Sequence, residues 1–442
     1  MDLGDSQKEE TIMNRIGYLL ACAFLLCSNS TFSQVRQITK NSSPKEITDT
    51  EILMRSTLKE DFGGVWIDRE TGSLVVGVTD ARLSRLALAN GVVPVKVDVN
   101  EARLKSAIDQ LNRSANKRPA GLVSWHIDIE ENQVVLGVLD GKYRSNAVSA
   151  WAARAGAPFR IEINRIAPAL LPPDDPVDDG PGGGGVGGPV IGGPVVGGPI
   201  ASSPAGSGGG FGGQDTVPHL YFPIIGGAPL YGVGRCSIAF SGWNTTTGKK
   251  YVLTAGHCGD GGLPYKYEHM FLMNNVYYTS GLQTIGSTFY SKFPGSDYRL
   301  IEVQNMWAAT SRLVDMWRYD YVKAYGFSTT APLPAGAQVC SSGSTTGWRC
   351  GAIISYNYNV CVPQGCVNNM VLANFCSYPG DSGGSVVAAG VANSSVAAQG
   401  IVSGRVGFSC GADLKTFYQP IAPVLQQHNL MLHYIMPPVI PL

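Results

Sequence analysis

Charge is scarce in this chain: Asp, Glu, Lys and Arg make up 15% of its 442 residues and cancel to a formal net charge of zero. No basic field exists to draw the protein onto nucleic acid or an anionic membrane, so nucleic-acid partners are not expected. Long apolar runs are missing as well. Ile16 to Leu26 gives about 11 such residues against the ~20 that a membrane-spanning helix needs, so no stable membrane anchor is expected. Cysteine is absent from Gln34 to Arg235, and that half of the chain must fold without disulfides. His126, His219, His269, His428 and His433 are scattered, with no HExxH or paired spacing, so neither a metal nor a cofactor is expected. The glycine-rich stretch lacks the Lys-Ser/Thr and the strand-to-helix setting of a phosphate loop.

What is present divides the chain into four parts. Asn14 and Arg15 precede the apolar run, and small residues follow it, with Thr31 and Ser33 at plausible cleavage positions, so residues 1–33 read as a secretory signal peptide. The polar stretch before it is either a long leader region or lies upstream of a true start at Met13. Leu26 stands where a small residue should precede Cys27 in a lipoprotein, which argues against lipidation. Of 10 cysteines, Cys22 and Cys27 fall in this segment and the other eight lie from Cys236 to Cys410. An even number confined to one stretch of an exported chain argues for disulfides there and for a secreted, extracellular protein.

Residues 34–166 carry an internal repeat at an offset of 60: VWIDRETGSLVVGVTD (Val65 to Asp80) against WHIDIEENQVVLGVLD (Trp125 to Asp140). Each copy reads as a β-hairpin, with turns at Glu70-Thr71-Gly72 and Glu130-Glu131-Asn132. Ala81 to Asn90, Glu101 to Asn112 and Ser145 to Ala155 are helix-prone, so this half is expected to be two related α+β subdomains. Residues 167–214 shift to Pro, Gly and Asp, with GGPVI, GGPVV and GGPI between Gly187 and Ile200. Nothing there can bury a core, and the stretch reads as an extended linker, either kept as a tether or discarded. Residues 215–442 change to short β-prone runs, CSIAFSGW, KKYVLTAG, SDYRLIEV and AQGIVSG, broken by Gly, Ser and Asn, as in a sandwich or barrel. Only Ile421 to Asn429 looks helical.

Three motifs occur in order within this β-rich part: TAGHC (Thr254 to Cys258), GSDYRL (Gly295 to Leu300) and PGDSGG (Pro379 to Gly384). A serine hydroxyl is a weak nucleophile at neutral pH, and His257 is the side chain whose pKa suits the base that Ser382 would need. A buried Asp297 would hold the imidazole tautomer and stabilise the imidazolium. The glycines around Ser382 allow a tight turn that aims the backbone N–H groups of Gly380 and Ser382 at a developing oxyanion, worth roughly 3 to 4 kcal/mol per donor. The order His, Asp, Ser differs from the Ser…Asp…His order of α/β-hydrolases, which argues against an esterase of that class.

On these motifs, residues 215–430 resemble the bacterial branch of the chymotrypsin-like serine proteases, such as the streptogrisins and alpha-lytic protease. The resemblance implies an all-β, trypsin-like protease domain of two six-stranded Greek-key barrels with a C-terminal helix. It also implies disulfides Cys236–Cys258, Cys340–Cys350 and Cys376–Cys410. Cys361 and Cys366 fall outside that pattern; only their proximity suggests a pair, and eight cysteines by themselves allow on the order of a hundred connectivities. The repeated WID…VVGVTD element is similar to the pro-regions of the same enzymes, which implies an α+β pro-domain that assists folding and inhibits until removed. Ile224-Ile225-Gly226-Gly227 resembles a mature start, placing a cut between Gly213 and Ile224. Asp381 is expected to find an internal partner, with Arg235 one candidate.

By the same alignment the pocket walls include Ser377, Tyr378 and Pro379 on one side and Val402, Ser403, Gly404 and Arg405 on the other, with Ser403 and Gly404 offering backbone groups to a substrate strand. No acidic residue stands at the pocket base, so cleavage after an uncharged apolar residue is expected, aromatic or leucine over alanine. Arg405 replaces the family's usual glycine, and would narrow the cleft or favour acidic residues on the substrate. The expected partners are protein or peptide substrates and the chain's own pro-domain, and a monomer is expected. The competing expectation is a catalytically silent, protease-like binding or adhesion protein with the Gly/Pro segment as its stalk.

Overall fold

The computed structural model of the chain describes residues 36–171 and 222–432, apart from 260–263, 269, 274–275, 280–281, 306–307, 318–320, 326–332, 389–394, 408–409 and 411–413. The expected signal segment, the Gly/Pro repeats, the expected maturation region up to residue 221, and His219, His269 and His433 lie outside the described residues.

The first described helix, α1 (Pro44–Leu58), starts at a capping box: the Ser43 hydroxyl accepts from Glu46 N–H at 3.2 Å, while the Ser43 N–H donates to Glu46 Oε2 at 2.9 Å. Pro44 occupies the first turn, where its missing N–H costs nothing. This helix goes beyond the three helix-prone stretches of the sequence reading, and its start is encoded locally in Ser-Pro-Lys-Glu. Ile47, Met54 and Leu58 lie along one face and pack on a sheet of β1 (Phe62–Ile67), β2 (Leu74–Val78) and β3 (Val93–Lys96). β1 and β2 form the first hairpin, Trp66 opposite Val75, and β3 joins β2 in parallel after the short helix α2 (Ser84–Ala89).

The second copy repeats that plan 60 residues on. β4 (Leu122–Asp128) pairs antiparallel with β5 (Gln133–Leu139), Trp125 opposite Leu136, and β6 (Phe159–Asn164) joins β5 in parallel beyond the helix Ser145–Ala153. Between the copies, α3 (Glu101–Arg113), capped by the Asn100 side chain, buries Leu104, Ala107, Ile108 and Leu111. Arg55 of α1 reaches Glu51 and Glu101, tying the first copy to this helix. The repeat in sequence is therefore a repeat in topology.

The C-terminal half is almost all strand. One sheet runs in spatial order Arg235–Ser237, Pro229–Tyr231, Tyr265–Tyr267, Gln283–Lys292, Tyr298–Val303, Lys250–Thr254, Phe240–Asn244, Leu430–Leu432. A second is built on Gln338–Gly343, Gly347–Val362, Gly365–Ala373, Ser385–Ala388, Ser395–Val406 and Lys415–Pro420. A helix, Ile421–Gln427, packs Ile421, Val424 and Leu425 into the first lobe's core. Four disulfides join Cys236 to Cys258, Cys340 to Cys350, Cys361 to Cys366 and Cys376 to Cys410, at Cα separations of 6.2, 3.9, 3.9 and 5.3 Å.

The two halves share a sheet. β4 lies against the long strand Gly347–Val362, with Trp125 opposite Asn359 and Ser124 opposite Val360, and Asn359 Nδ2 donates to Trp125 O at 3.2 Å. An edge strand carries a row of unpaired backbone groups, and here each half satisfies the other's. At this seam His126 is buried against Tyr358, its Nδ1 without a partner among the described residues. Burial pushes its pKa down to about 4, although Glu162 and Asp128 favour the charged ring. A folded-state pKa below the unfolded value of 6.5 makes the contribution complete above that pH, with loss as pH falls toward 4. Between pH 7 and 4.5 the full chain is expected to lose about 2 to 3 kcal/mol more unfolding free energy than its His126→Phe variant, read from denaturant melts at the two pH values. Equal losses would remove this ring from the account.

Candidate active site

His257 follows the strand Lys250–Thr254, and the turn that carries it is pinned by Cys258 to Cys236. A Cβ on the neighbouring Gly256 would meet Lys292 O at 2.6 Å, so this approach of two backbones admits only glycine. Asp297 precedes the strand Tyr298–Val303 and has no exposed surface. Ser382 sits in a turn whose flanking glycines have positive φ, 92° at Gly380 and 82° at Gly383. A Cβ on Gly383 would stand 2.0 Å from Thr254 Oγ1 and 2.4 Å from Ser237 O, so the serine turn can press against the histidine lobe only without a side chain there.

These three local structures bring the side chains into one line. Asp297 Oδ2 lies 2.7 Å from His257 Nδ1, and His257 Nε2 lies 2.7 Å from Ser382 Oγ. The His257 backbone N–H donates to Asp297 Oδ1 at 3.0 Å, fixing the carboxylate from its second oxygen. Two groups outside the three motifs complete its shell: the Ser403 hydroxyl donates to Oδ2, and the Asp297 N–H donates to Gln419 Oε1 at 3.0 Å. Burial alone would lower the His257 pKa, but the Asp297 charge and hydrogen bond outweigh it and hold the imidazole above its ordinary value. Burial likewise would raise Asp297, and the His257 charge and the hydrogen bonds it accepts hold it down. The two directions agree: the pair is arranged to stabilise an imidazolium–carboxylate.

The expected pocket residues fall together. Ser377 is buried with its hydroxyl 2.7 Å from Thr416 Oγ1. Pro379 O accepts from Thr345 Oγ1, and Val402 exchanges backbone hydrogen bonds with Gly383 and Gly384. The Arg405 guanidinium lies 4.8 Å from the Tyr378 ring centroid and donates to Ser377 O at 3.3 Å, so its charge is engaged across the rim. Asp381 accepts from the N–H groups of Tyr378, Thr345 and Thr346 at 2.8 to 2.9 Å, and Arg235 reaches the same turn at Ser344 O and Thr345 Oγ1.

A strand of the N-terminal half occupies this cleft. Residues 169–171, which composition places in the linker, run antiparallel to Ser395–Val406: β7 (Ala169–Leu170) sets Leu170 opposite Gly404 and Ala169 opposite Arg405. Leu171 N–H donates to Ser403 O at 3.2 Å. The Leu171 side chain is buried in the cluster that holds Val402 and Tyr418. Its carbonyl oxygen accepts from Ser382 Oγ at 2.6 Å and lies 2.9 Å from His257 Nε2. A Cβ at Gly404 would meet Ala169 O at 2.5 Å, so that glycine is what lets the strand dock.

A hydroxyl, an imidazole and a buried carboxylate in line, beneath an extended peptide paired to the cleft edge, define a serine protease in precursor form. Comparison with known proteins gives the family. The Trypsin family matches residues 225–427, the alpha-lytic protease pro N-terminal family residues 38–97 and the alpha-lytic protease prodomain family residues 100–158. Streptogrisin-D of Streptomyces griseus is 32% identical over 395 residues, 85% of this chain and 78% of that protein. Streptogrisin-C of the same organism is 36% identical over 219 residues, covering 49% of this chain and 42% of streptogrisin-C, so the match spans less than half that relative's length. The crystal structure of Nocardiopsis protease (NAPase) is 34% identical and covers 48% of this chain and 100% of its own, at a TM-score of 0.39. The chain belongs to the trypsin family of serine endopeptidases, in the branch made with an alpha-lytic protease type pro-domain. Its protease part has the trypsin-like fold, mostly strands, with a C-terminal helix.

Proposed function

We propose that this is a secreted endopeptidase made as an inactive precursor, in which Ser382 attacks the scissile carbonyl, His257 takes and returns the proton, and Asp297 orients the imidazole. The observation that carries this reading is the line Asp297–His257–Ser382, at 2.7 Å per step, with a peptide carbonyl held on Ser382 Oγ. The N–H groups of Gly380 and Ser382 are assigned to the oxyanion. The signal-like segment Met13 to Ser33 and the four disulfides support export to an oxidising compartment. The shared sheet and the occupied cleft support residues 34–171 as folding assistant and inhibitor.

Substrates are proteins or peptides with an uncharged apolar residue before the cut. Leu171 stands at that place in the precursor, buried in the cluster that holds Val402, and Ser377, Val402 and Ser403 are assigned to the walls, with no acid among them to attract Lys or Arg. Arg405 is engaged with Tyr378 and Ser377 O, which argues against a preference for acidic residues at the same place. The test is a peptide series varying that residue, with a serine-directed phosphonate to count active sites. Leucine and phenylalanine are expected to exceed alanine by about 10- to 200-fold in kcat/KM. Arginine and aspartate should be the slowest. Preferred cleavage after either charged residue would remove the specificity assignment.

A further inference from the structure

We propose that the Cys361–Cys366 disulfide is a positioning device for the catalytic pair: it pins the hairpin tip that grips Gly295, and through Gly295 it sets where Asp297 stands against His257. The inference rests on the protease reading of Ser382 and concerns what keeps its base in line once the N-terminal half has left.

The strands Gly347–Val362 and Gly365–Ala373 form a hairpin of the second lobe, whereas Asp297 leads into a strand of the first. They meet at Gly295, two residues ahead of the carboxylate. Gly295 N–H donates to Cys366 O at 2.8 Å, and Asn368 N–H donates to Gly295 O at 2.9 Å, so the hairpin holds both backbone groups of that glycine and bridges it in parallel to Val367. Pro294 approaches the tip so closely that a Cβ on Gly365 would stand 2.7 Å from its own Cβ. Phe293 packs against the hairpin cluster that holds Val360, Val362 and Val367, and its ring stands edge-on to His257, centroids 6.2 Å apart. A shift of the tip therefore reaches both members of the pair, Asp297 through Gly295 and His257 through Phe293.

The body of the hairpin does not fix its tip. Register shifts three times between Ile353 and Val360, and beyond the last shift the pairs are Val360–Val367, Cys361–Cys366 and Val362–Gly365. A ladder so interrupted specifies register weakly, and a slip of one residue would carry the Cys366 carbonyl away from Gly295. In the precursor the tip has a second support: β4 pairs with Asn359 and Val360, and Cys361 and Cys366 pack in the cluster of Trp125 and Trp151. Maturation takes that support away and leaves the disulfide. Chain entropy is the smaller part of what this bridge does, because it closes the shortest loop of the four, a separation of 5 residues against 10, 22 and 34, and so constrains the unfolded chain least. Its effect falls on local geometry, where misplacement by about 1 Å costs on the order of 100-fold.

The test compares matured wild-type enzyme with two variants, each expressed as the full chain. Cys361→Ala/Cys366→Ala removes the bridge; Asn368→Pro keeps it but deletes the N–H that holds Gly295 O. Rates are taken per active site, counted with a serine-directed phosphonate, on a peptide with leucine before the cut and alanine ahead of it, because Leu170 touches the hairpin cluster. The cysteine variant is expected to lose about 10- to 100-fold in kcat, with KM changed by no more than about twofold, and Asn368→Pro to lose less in the same direction. The Asp297 charge and hydrogen bond hold the imidazole pKa up against burial and the Arg299 charge, so a displaced carboxylate should also lower the pKa of the base, read from the pH profile of kcat/KM and from proton NMR of His257 Nδ1–H. A merely structural bridge would instead reduce the number of labelled sites and leave those that label with wild-type kcat and pKa. That result overturns the inference, as does a loss carried by KM, or a fall in kcat with the pKa unmoved. Should the cysteine variant give no labelled enzyme, Asn368→Pro decides, since the grip on Gly295 is the step through which the bridge acts, and wild-type kcat and pKa there overturn the inference. Absence of phosphonate labelling at Ser382 in the matured wild type would strike the protease reading itself, which separates the two failures.

Discussion

Replacing Ser382 by alanine is expected to lower kcat for peptide hydrolysis by about 10⁶-fold while leaving the circular dichroism of the precursor unchanged. The side chain is fully buried, and among the described residues its oxygen hydrogen-bonds to His257 and Leu171, so the loss falls on chemistry and not on packing. Asp297→Asn should cost about 10⁴-fold, because an amide at that position presents a donor to His257 Nδ1 and turns the imidazole to the wrong tautomer. The Ser403 hydroxyl and the His257 N–H both donate to Asp297, and they would then face an altered set of acceptors, adding to the disturbance. The measurement is active-site-titrated kinetics on one leucine peptide, with melts to exclude misfolding. Activity retained in Ser382→Ala within tenfold of wild type would end the assignment of the nucleophile.

A second large effect concerns the N-terminal half. Residues 215–442 expressed alone are expected to stay inactive for hours after refolding, and addition of residues 35–171 should restore activity that is then inhibited by the same polypeptide. The reason lies in the strand Gly347–Val362, whose edge is completed by β4, and in the burial of Trp125 at that seam. Pairing strands distant in sequence is slow because loop-closure entropy is lost before the contacts form, and a preformed edge supplies a template. A version ending at Ile166 keeps the β4 seam and should still assist folding. It lacks the tail, which contributes one fully buried leucine at about 1.5 to 3 kcal/mol and hydrogen bonds at about 1 kcal/mol each. Its inhibition constant is therefore expected to be weaker by roughly 100- to 1,000-fold. Rapid unaided folding of residues 215–442, or equal inhibition by the two versions, would count against this division of labour.

Features set by local interactions are legible in the amino-acid sequence. The 60-residue repeat marks two like units because each hairpin is a local object: Asp68 and Asp128 each accept from backbone N–H groups within their own turns, at Thr71 and Glu131. The catalytic candidates are legible for the same reason. TAGHC, GSDYRL and PGDSGG each encode a short turn whose glycines have to be there, Gly256 and Gly383 because a Cβ would collide with backbone atoms of another segment. Helix α1 is equally local, with its capping box written in Ser43-Pro44-Lys45-Glu46.

Other features belong to the tertiary structure alone. Ser403, which the sequence marks for its backbone groups and not its hydroxyl, and Gln419, which it does not mark at all, reach Asp297 with their side chains from more than a hundred residues away. The tail in the cleft is hidden for a deeper reason. Ala169 to Leu171 bind through backbone groups, which every residue carries, so composition assigns them to the linker, and only the register against Ser403 and Gly404 reveals what they do. By itself the sequence determined the residue types for the chemistry, their order, and the two-part build of the precursor. The tertiary structure decided their alignment at hydrogen-bond distance and which strand shuts the cleft, because main-chain pairing between distant segments leaves no side-chain signature to read.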